Sequence, residues 1–169
     1  MHALVKLAKD AVELYVREGK ALAVPEDALD PEFRERAAVF ICLKIRGVLR
    51  GCIGTFQPSE PTIAHETVRN AISAATCDPR FMCVRPEELD SIEYTVDVLT
   101  PPEPIRDAGE LDPRRYGVLV QSGARRGLLL PDLEGVDTVD EQIGISMQKA
   151  GIPSGAPVSI FRFEVRRYT

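Results

Sequence analysis

A cysteine placed between two glycines is the feature of this sequence best suited to chemistry. Cys52 follows Gly51, Gly54 lies two residues after it, and Arg50 lies two residues before it. A working cysteine needs its thiolate form, whose pKa falls from about 8.5 when a cation is near. Residues two apart in a strand point to the same face, so this spacing predicts that Arg50 stabilises a Cys52 thiolate. Cys52 and Arg50 are therefore the candidate catalytic residues.

The glycines around Cys52 have two interpretations. Alternation of apolar with small or polar residues predicts a strand over 49–56, yet glycine inside a strand costs about 0.5–1 kcal/mol relative to alanine. In the first interpretation a ligand approaches the backbone, which makes Gly51, Gly54 and Thr55 candidate ligand-binding residues. In the second, the strand is kinked around a buried structural thiol. Residue chemistry alone leaves both interpretations open.

Two residues farther along the chain are also candidates for ligand contacts. Arg80 either pairs with Asp78 to stabilise the turn after a helix, or binds an anion close to Cys52. His65, near the start of a predicted helix, is the histidine best placed to act as a base for Cys52. No sequence motif accompanies His65, so its role depends on where the fold places it.

The cysteines predict reduced thiols and no metal site. There are four, Cys42, Cys52, Cys77 and Cys83. They contain no Cys-x-x-Cys pair, and the close ligand spacing typical of zinc sites is missing. A two-residue hairpin turn at 46–47 would place Cys42 opposite Gly51 and on the other face of the sheet from Cys52, which predicts that these two thiols form no disulfide. We expect neither a metal nor a cofactor.

Composition and charge are typical of a soluble globular protein. The 169 residues suit a single domain over 1–169, and 28% of them are charged. The net charge of −5 argues against nucleic acid as a primary partner, because phosphate binding requires a basic surface. No apolar run approaches the roughly 20 residues of a membrane span. The N-terminal residues lack the regions of a signal peptide, so we expect a cytoplasmic protein with no membrane contact.

Hydrophobic patterning predicts an α+β fold. Helical spacing and capping signals predict long helices over 3–18, 62–76 and 139–150, with short helices over 31–36 and from 86. Strands are predicted over 38–45, 48–56, 92–98, 117–121, 128–130 and 158–168. The segments 20–29 and 106–115 are predicted loops. Because the strands come as hairpins, we expect a mainly antiparallel sheet with helices packed on it.

Several blocks of the sequence resemble the AMMECR domain family, whose prokaryotic members are called protein A of the AmmeMemoRadiSam systems. The blocks are Leu49–Phe56 (LRGCIGTF), Asp78–Phe81 (DPRF), Leu99–Ile105, Tyr116–Pro131 and Lys149–Ile152. The resemblance implies an α+β fold with a small second lobe. It also implies work alongside a Memo-like dioxygenase and a radical SAM protein, on a small molecule that the sequence does not identify. No settled activity comes with it, so an enzyme built on Cys52 and a non-catalytic scaffold both remain hypotheses.

The substitution Gly54→Ala distinguishes a ligand site from a structural kink. If a ligand approaches the backbone at Gly54, the variant should keep its stability and lose binding. If packing or backbone conformation requires glycine, the variant should be destabilised by more than about 1 kcal/mol. Thermal melts of the variant and thiol-labelling rates of Cys52 in the parent provide the measurement. A strongly destabilised variant and an unreactive Cys52 would show that the glycines are structural.

Overall fold

The chain forms two compact units. The computed structural model describes residues 1–24 and 30–169. The first unit comprises Met1–Leu99 and Arg166–Thr169, and the second comprises Thr100–Val165. Residues 25–29 of the loop predicted over 20–29 lie outside the described part of the chain.

Helices and strands alternate irregularly, and the α+β class predicted from the sequence is confirmed. The α-helices of the described residues are α1 (Ala3–Glu18), α2 (Ile63–Thr76) and α3 (Val139–Lys149). The strands are β1 (Val39–Ile45), β2 (Val48–Gly54), β3 (Ile92–Leu99), β4 (Glu103–Pro104), β5 (Gly117–Ser122), β6 (Arg125–Leu129), β7 (Ser159–Phe163) and β8 (Val165–Tyr168). Short 3-10 helices cover Pro31–Arg34, Pro86–Ser91 and Ala108–Glu110. No α-helix within residues 1–24 and 30–169 is long and apolar enough to cross a membrane.

The strands form two four-stranded sheets. In the first sheet the order is β2-β1-β3-β8, and β1 is antiparallel to both of its neighbours. In the second sheet the order is β4-β7-β5-β6. The strand that carries Cys52, β2, is therefore at an edge of the first sheet.

Capping residues set the ends of α1 and α2. The His2 Nδ1 atom accepts the Leu4 N–H at the start of α1, and Gly19 ends the helix with a φ of +68°. The Thr62 hydroxyl accepts the His65 N–H at the start of α2. Glycine adopts positive φ without steric cost and threonine is a good N-cap, so both features can be recognised in the sequence.

Each unit has its own apolar core. In the first unit α1 and α2 pack on one face of the sheet, and the core includes Leu4, Val12, Ile41, Leu43, Ala71, Ala74 and Val96. Small residues on α2 let its backbone approach the strands closely. In the second unit α3 packs on β5 and β6, around Leu111, Val118, Val120 and Ile152.

The hairpin of β1 and β2 contains a β-bulge that the sequence does not reveal. Lys44 lies opposite Leu49, as a two-residue turn predicts, but Leu43 lies opposite Gly51. Arg50 is therefore an extra residue without a partner on β1. A bulge interrupts the alternation of side chains along its strand, so the spacing of Arg50 and Cys52 no longer ensures that the two share a face.

The bulge also changes the position of the two cysteines of this hairpin. Cys42 lies directly opposite Cys52 rather than opposite Gly51. Side chains of directly paired residues lie on the same face of a sheet. The predicted placement of the two thiols on opposite faces is therefore wrong.

The second unit differs from the sequence prediction at three places. Ser122 pairs with Arg125, so the hairpin turn is Gly123–Ala124 and not the whole of 122–127. The single strand predicted over 158–168 is divided between β7 in the second sheet and β8 in the first. Glu103–Pro104 pairs with β7 and is not merely a connector. Continuous alternation of apolar residues does not show where a chain leaves one sheet for another.

Candidate functional site

The backbone of Cys52 is bound by side chains from the segment that follows α2. The Cys52 N–H donates to Asp78 Oδ2 over 2.9 Å, and the Cys52 carbonyl accepts from Arg80 Nη2 over 3.4 Å. Because β2 is an edge strand, both groups would otherwise have no partner within the sheet. Asp78 and Arg80 therefore take the place of a neighbouring strand at this position.

Asp78 and Arg80 also bind each other. Arg80 Nε donates to Asp78 Oδ1 over 2.9 Å and Arg80 Nη2 to Oδ2 over 2.7 Å, which is a bidentate pair. The pairing predicted from their spacing is present. Hydrogen bonds from Arg80 and from the Cys52 N–H lower the pKa of Asp78, although its burial acts in the opposite direction.

Arg50 is directed towards the same segment and not towards the thiol of Cys52. Arg50 Nε and Nη2 donate to the two carboxylate oxygens of Glu88 over 2.7 Å and 3.0 Å. Arg50 Nη1 and Nη2 also donate to the carbonyls of Met82 and Cys83. The argument that placed Arg50 beside a Cys52 thiolate does not hold, because the bulge turns the side chain towards Glu88. Arg50 binds the segment 82–88 to the hairpin.

The aromatic ring of Phe81 lies near both arginines. The guanidinium carbons of Arg80 and Arg50 are 5.5 Å and 5.9 Å from the ring centroid. Cations attract the face of an aromatic ring at such distances. Phe81 therefore helps to hold both guanidinium groups at the edge of β2.

Cys42 and Cys52 lie opposite each other in the hairpin and are half-buried, and a hydrogen bond between their thiols acts on the pKa of each. The shared hydrogen bond, followed by burial, raises the pKa of Cys52. The same hydrogen bond lowers the pKa of Cys42. The two thiols are therefore coupled, so that ionisation of Cys42 disfavours ionisation of Cys52, which the sequence did not indicate.

Three cations act on this pair of thiols, and two of them, Lys44 and Arg167, were not among the candidates. The charge of Arg80 favours the thiolate of Cys52, and the charges of Lys44 and Arg167 favour that of Cys42. Lys44 lies two residues from Cys42 on the regular strand β1, so it shares the face of both thiols. Lys44 is exposed and forms no salt bridge within the described part of the chain.

Packing explains the two glycines of β2. A Cβ atom on Gly51 would lie 2.2 Å from the carbonyl oxygen of Ala74 on α2. A Cβ atom on Gly54 would lie 2.1 Å from the ring of Phe40, the residue opposite it on β1. Neither position can hold a side chain without movement of its neighbour. We therefore expect Gly54→Ala to lower the free energy of unfolding by roughly 1–3 kcal/mol, the loss typical of overpacking.

Thr55 is held by a buried carboxylate on α2. Its hydroxyl donates to Glu66 Oε1 over 2.7 Å, and Glu66 also accepts from the N–H groups of Ser59 and Glu60. Burial raises the pKa of Glu66, but these hydrogen bonds together lower it below its ordinary value. Glu66 therefore stays ionised and orders the loop after β2, which gives Thr55 a structural role.

His65 lies apart from the thiols. Its Nδ1 atom is 2.8 Å from the hydroxyl of Thr62, and it lines a cavity of about 660 Å³ together with Tyr15, Val68 and Arg69. Within the described residues no hydrogen bond joins His65 to Cys52. The geometry therefore does not pair this histidine with the thiol as a catalytic base.

The remaining cysteines are exposed and close to the C-terminal end of α2. The Cys83 thiol donates to the Thr76 carbonyl over 3.3 Å, and Cys77 directly follows Thr76. No group of three or more histidine, cysteine, aspartate or glutamate residues is placed to hold a metal ion among residues 1–24 and 30–169.

Fold and site together define an α+β protein with two sheet-and-helix units and a pair of thiols beside an arginine-bound edge strand. The chain belongs to the AMMECR1 family, whose model matches residues 5–168. This agrees with the family resemblance of the sequence blocks around Cys52 and Arg80.

Relatives of this chain are themselves uncharacterised. A protein of Thermotoga maritima is 54% identical over 99% of this chain and 97% of its own length. Protein CA_C1420 of Clostridium acetobutylicum is 46% identical over 97% of this chain, which spans only 35% of that protein. The crystal structure of the uncharacterised protein PH0010 from Pyrococcus horikoshii is similar, with a TM-score of 0.89 and 35% identity over 97% of this chain and 88% of that one.

We predict that Asp78→Asn destabilises the protein by about 1–3 kcal/mol at pH 7, because an amide cannot accept all the hydrogen bonds that the carboxylate does. Since the folded-state pKa of Asp78 is lowered, its contribution is complete above the unfolded value of about 3.9 and is lost as the pH falls further. The difference between parent and variant should therefore shrink on acidification.

Urea unfolding of the parent, Asp78→Asn and Asp90→Asn at pH 7 and pH 3 provides the measurement. Asp90 is exposed and serves as the matched control. A difference between parent and Asp78→Asn that stays constant between the two pH values would contradict the proposed role of the carboxylate.

Proposed function

We propose that the chain binds a small anionic molecule beside the Cys42 and Cys52 thiols, in a pathway shared with a Memo-like dioxygenase and a radical SAM protein. The observation that carries the binding proposal is the position of Lys44 and Arg80, two cations that act on this pair of thiols. Carboxylate and phosphate groups are the natural ligands of such cations.

Both cations have capacity for a ligand. The Arg80 side chain is 55% exposed, and its Nη1 group donates no hydrogen bond to any described residue. Lys44 is exposed, with Glu93 opposite it on β3 but no salt bridge between them among the described residues. Asp97, which opposes ionisation of the thiols, is bound by Arg167 over 2.8 Å. The positive charge nearest the thiols is thus only partly neutralised.

The state of the thiols favours binding over a hydrolase-type reaction at Cys52. Its raised pKa keeps Cys52 in the neutral form near pH 7, and no histidine is hydrogen-bonded to it in the described part of the chain. A nucleophilic cysteine requires its thiolate.

A non-catalytic scaffold is the second candidate function. It is favoured by the packing of Gly51 and Gly54, which removes the need for a ligand to explain them, and by the complete engagement of Arg50 with Glu88. In CA_C1420 the greater part of the chain lies outside the match, as expected where an AMMECR1 unit works joined to another protein.

The anion proposal predicts that negatively charged reagents reach the thiols preferentially. We expect the ratio of alkylation rates by iodoacetate and iodoacetamide to be about threefold higher at Cys42 and Cys52 than at Cys77, the effect of one nearby charge in water. Taking the ratio cancels differences in thiolate fraction between sites. Mass spectrometry of peptides after short exposures provides the rates.

Lys44→Gln should lower this ratio at the thiol pair. Lys20→Gln should leave it unchanged, because Lys20 is an exposed lysine that pairs with Glu18. Salt should reduce the preference by screening. A ratio at Cys42 and Cys52 equal to that at Cys77, and unaffected by Lys44→Gln, would refute the anion site.

The scaffold proposal predicts a physical complex. The chain should co-elute in gel filtration with the Memo-like dioxygenase or the radical SAM protein of the same genome, and Cys52→Ser should co-elute equally well. Loss of the complex only in Cys52→Ser would place the thiol in the interface. Separate elution of the unsubstituted chain from both the dioxygenase and the radical SAM protein would contradict a scaffold.

A further inference from the structure

We propose that Cys42 and Cys52 form a reversible intrachain disulfide between β1 and β2, by exchange with a low-molecular-weight disulfide such as oxidised glutathione. The inference rests on the register of the hairpin and concerns a modification of the thiols. It holds whether or not an anion binds beside them.

The register places the two cysteines at the closest kind of pairing in an antiparallel sheet. The N–H and carbonyl of Cys52 both point outward, to Asp78 and Arg80, and so make no hydrogen bonds to β1. Cys42 and Cys52 are therefore a non-hydrogen-bonded pair, in which Cα atoms lie about 4.5 Å apart. This lies within the range of about 4.4–6.8 Å that disulfides span.

The side chains of the pair lie on the same face of the sheet. Cys42 and Cys52 are directly paired across the hairpin, so their sulfur atoms need no change of register to come together. Lys44 and Arg80 favour the thiolate that exchange requires. The β-bulge at Arg50 is the cause of the pairing between Cys42 and Cys52. Without the bulge Cys42 would lie opposite Gly51, and no disulfide could form.

The reaction balances in two exchange steps. The thiolate of one cysteine attacks a sulfur atom of oxidised glutathione, forms a mixed disulfide and releases one glutathione thiolate. The second cysteine loses its proton to water, attacks the protein sulfur of the mixed disulfide and releases the second glutathione. Two protein thiols are oxidised, and one glutathione disulfide is reduced to two glutathiones.

Oxidation of the pair would remove both thiols from the site. This consequence rests on the proposed function, since it matters only if a ligand meets a free thiol there. The edge strand would then respond to the thiol–disulfide balance of its surroundings. The iodoacetate comparison uses fully reduced protein, so its failure would not affect the disulfide proposal.

Peptide mapping of the folded protein tests the proposal directly. Reduced protein is incubated with graded ratios of oxidised to reduced glutathione, quenched with acid, alkylated and digested with trypsin. Trypsin cleaves after lysine and arginine except before proline, so the bond Arg85–Pro86 stays intact and the four cysteines fall in four separate peptides, 37–44, 51–69, 70–80 and 81–106. We expect a cross-link between 37–44 and 51–69 that dithiothreitol reverses.

Folding should determine which cysteines pair. In the unfolded chain the shorter loop between Cys77 and Cys83 closes more readily than that between Cys42 and Cys52. We therefore expect the 37–44/51–69 cross-link to exceed the 70–80/81–106 cross-link in the native protein, and the order to reverse in urea. Cys42→Ser should abolish the native cross-link, and Cys77→Ser should leave it unchanged.

Two results would overturn the proposal. One is that Cys42 and Cys52 remain thiols, or carry only separate glutathione adducts, at ratios that fully modify Cys77 and Cys83. The other is that Cys52 links to Cys77 or Cys83 in the folded protein. Circular dichroism of Cys42→Ser shows whether that variant is folded, so that loss of the cross-link is not a consequence of unfolding.

Discussion

The unpaired edge of β2 is the constraint on which the candidate site depends. At Cys52 the strand presents an N–H and a carbonyl with no neighbouring strand, and Asp78 and Arg80 bind both. Buried backbone groups without partners are costly. A short turn after α2 therefore carries a bidentate ion pair, whose first role is to complete the sheet. The same turn places a half-exposed guanidinium group beside a thiol.

The β-bulge at Arg50 is the second determinant of the site. It releases the Arg50 side chain from the alternation of the strand, and the guanidinium group binds Glu88 across 38 positions of sequence. It also shifts the register so that Cys42 meets Cys52. One extra residue thus explains two differences from the sequence prediction. Arg50 binds Glu88 instead of stabilising a thiolate, and Cys42 lies opposite Cys52 instead of on the other face of the sheet.

Electrostatics and packing assign different roles to the residues of this strand. Gly51 and Gly54 are required by a helix carbonyl and an aromatic ring, and Thr55 by the buried carboxylate of Glu66. No comparable packing requirement explains the thiols. Cys42 and Cys52 are only half-buried, and cations lie near them. Chemistry at this hairpin is therefore best sought at the sulfur atoms and at Lys44 of β1.

The sequence by itself determined the class of fold, the family and the helices, because hydrophobic period and capping residues are local signals. The helix Ala3–Glu18 was predicted to the residue, and Thr62 and Gly19 mark helix ends through their own side-chain and backbone chemistry. Only the tertiary structure decided the register at Cys52, the partner of Arg50 and the division of the last strand between two sheets. These depend on a bulge, on a carboxylate distant in sequence and on a change of sheet, and none of them alters the local alternation of residues.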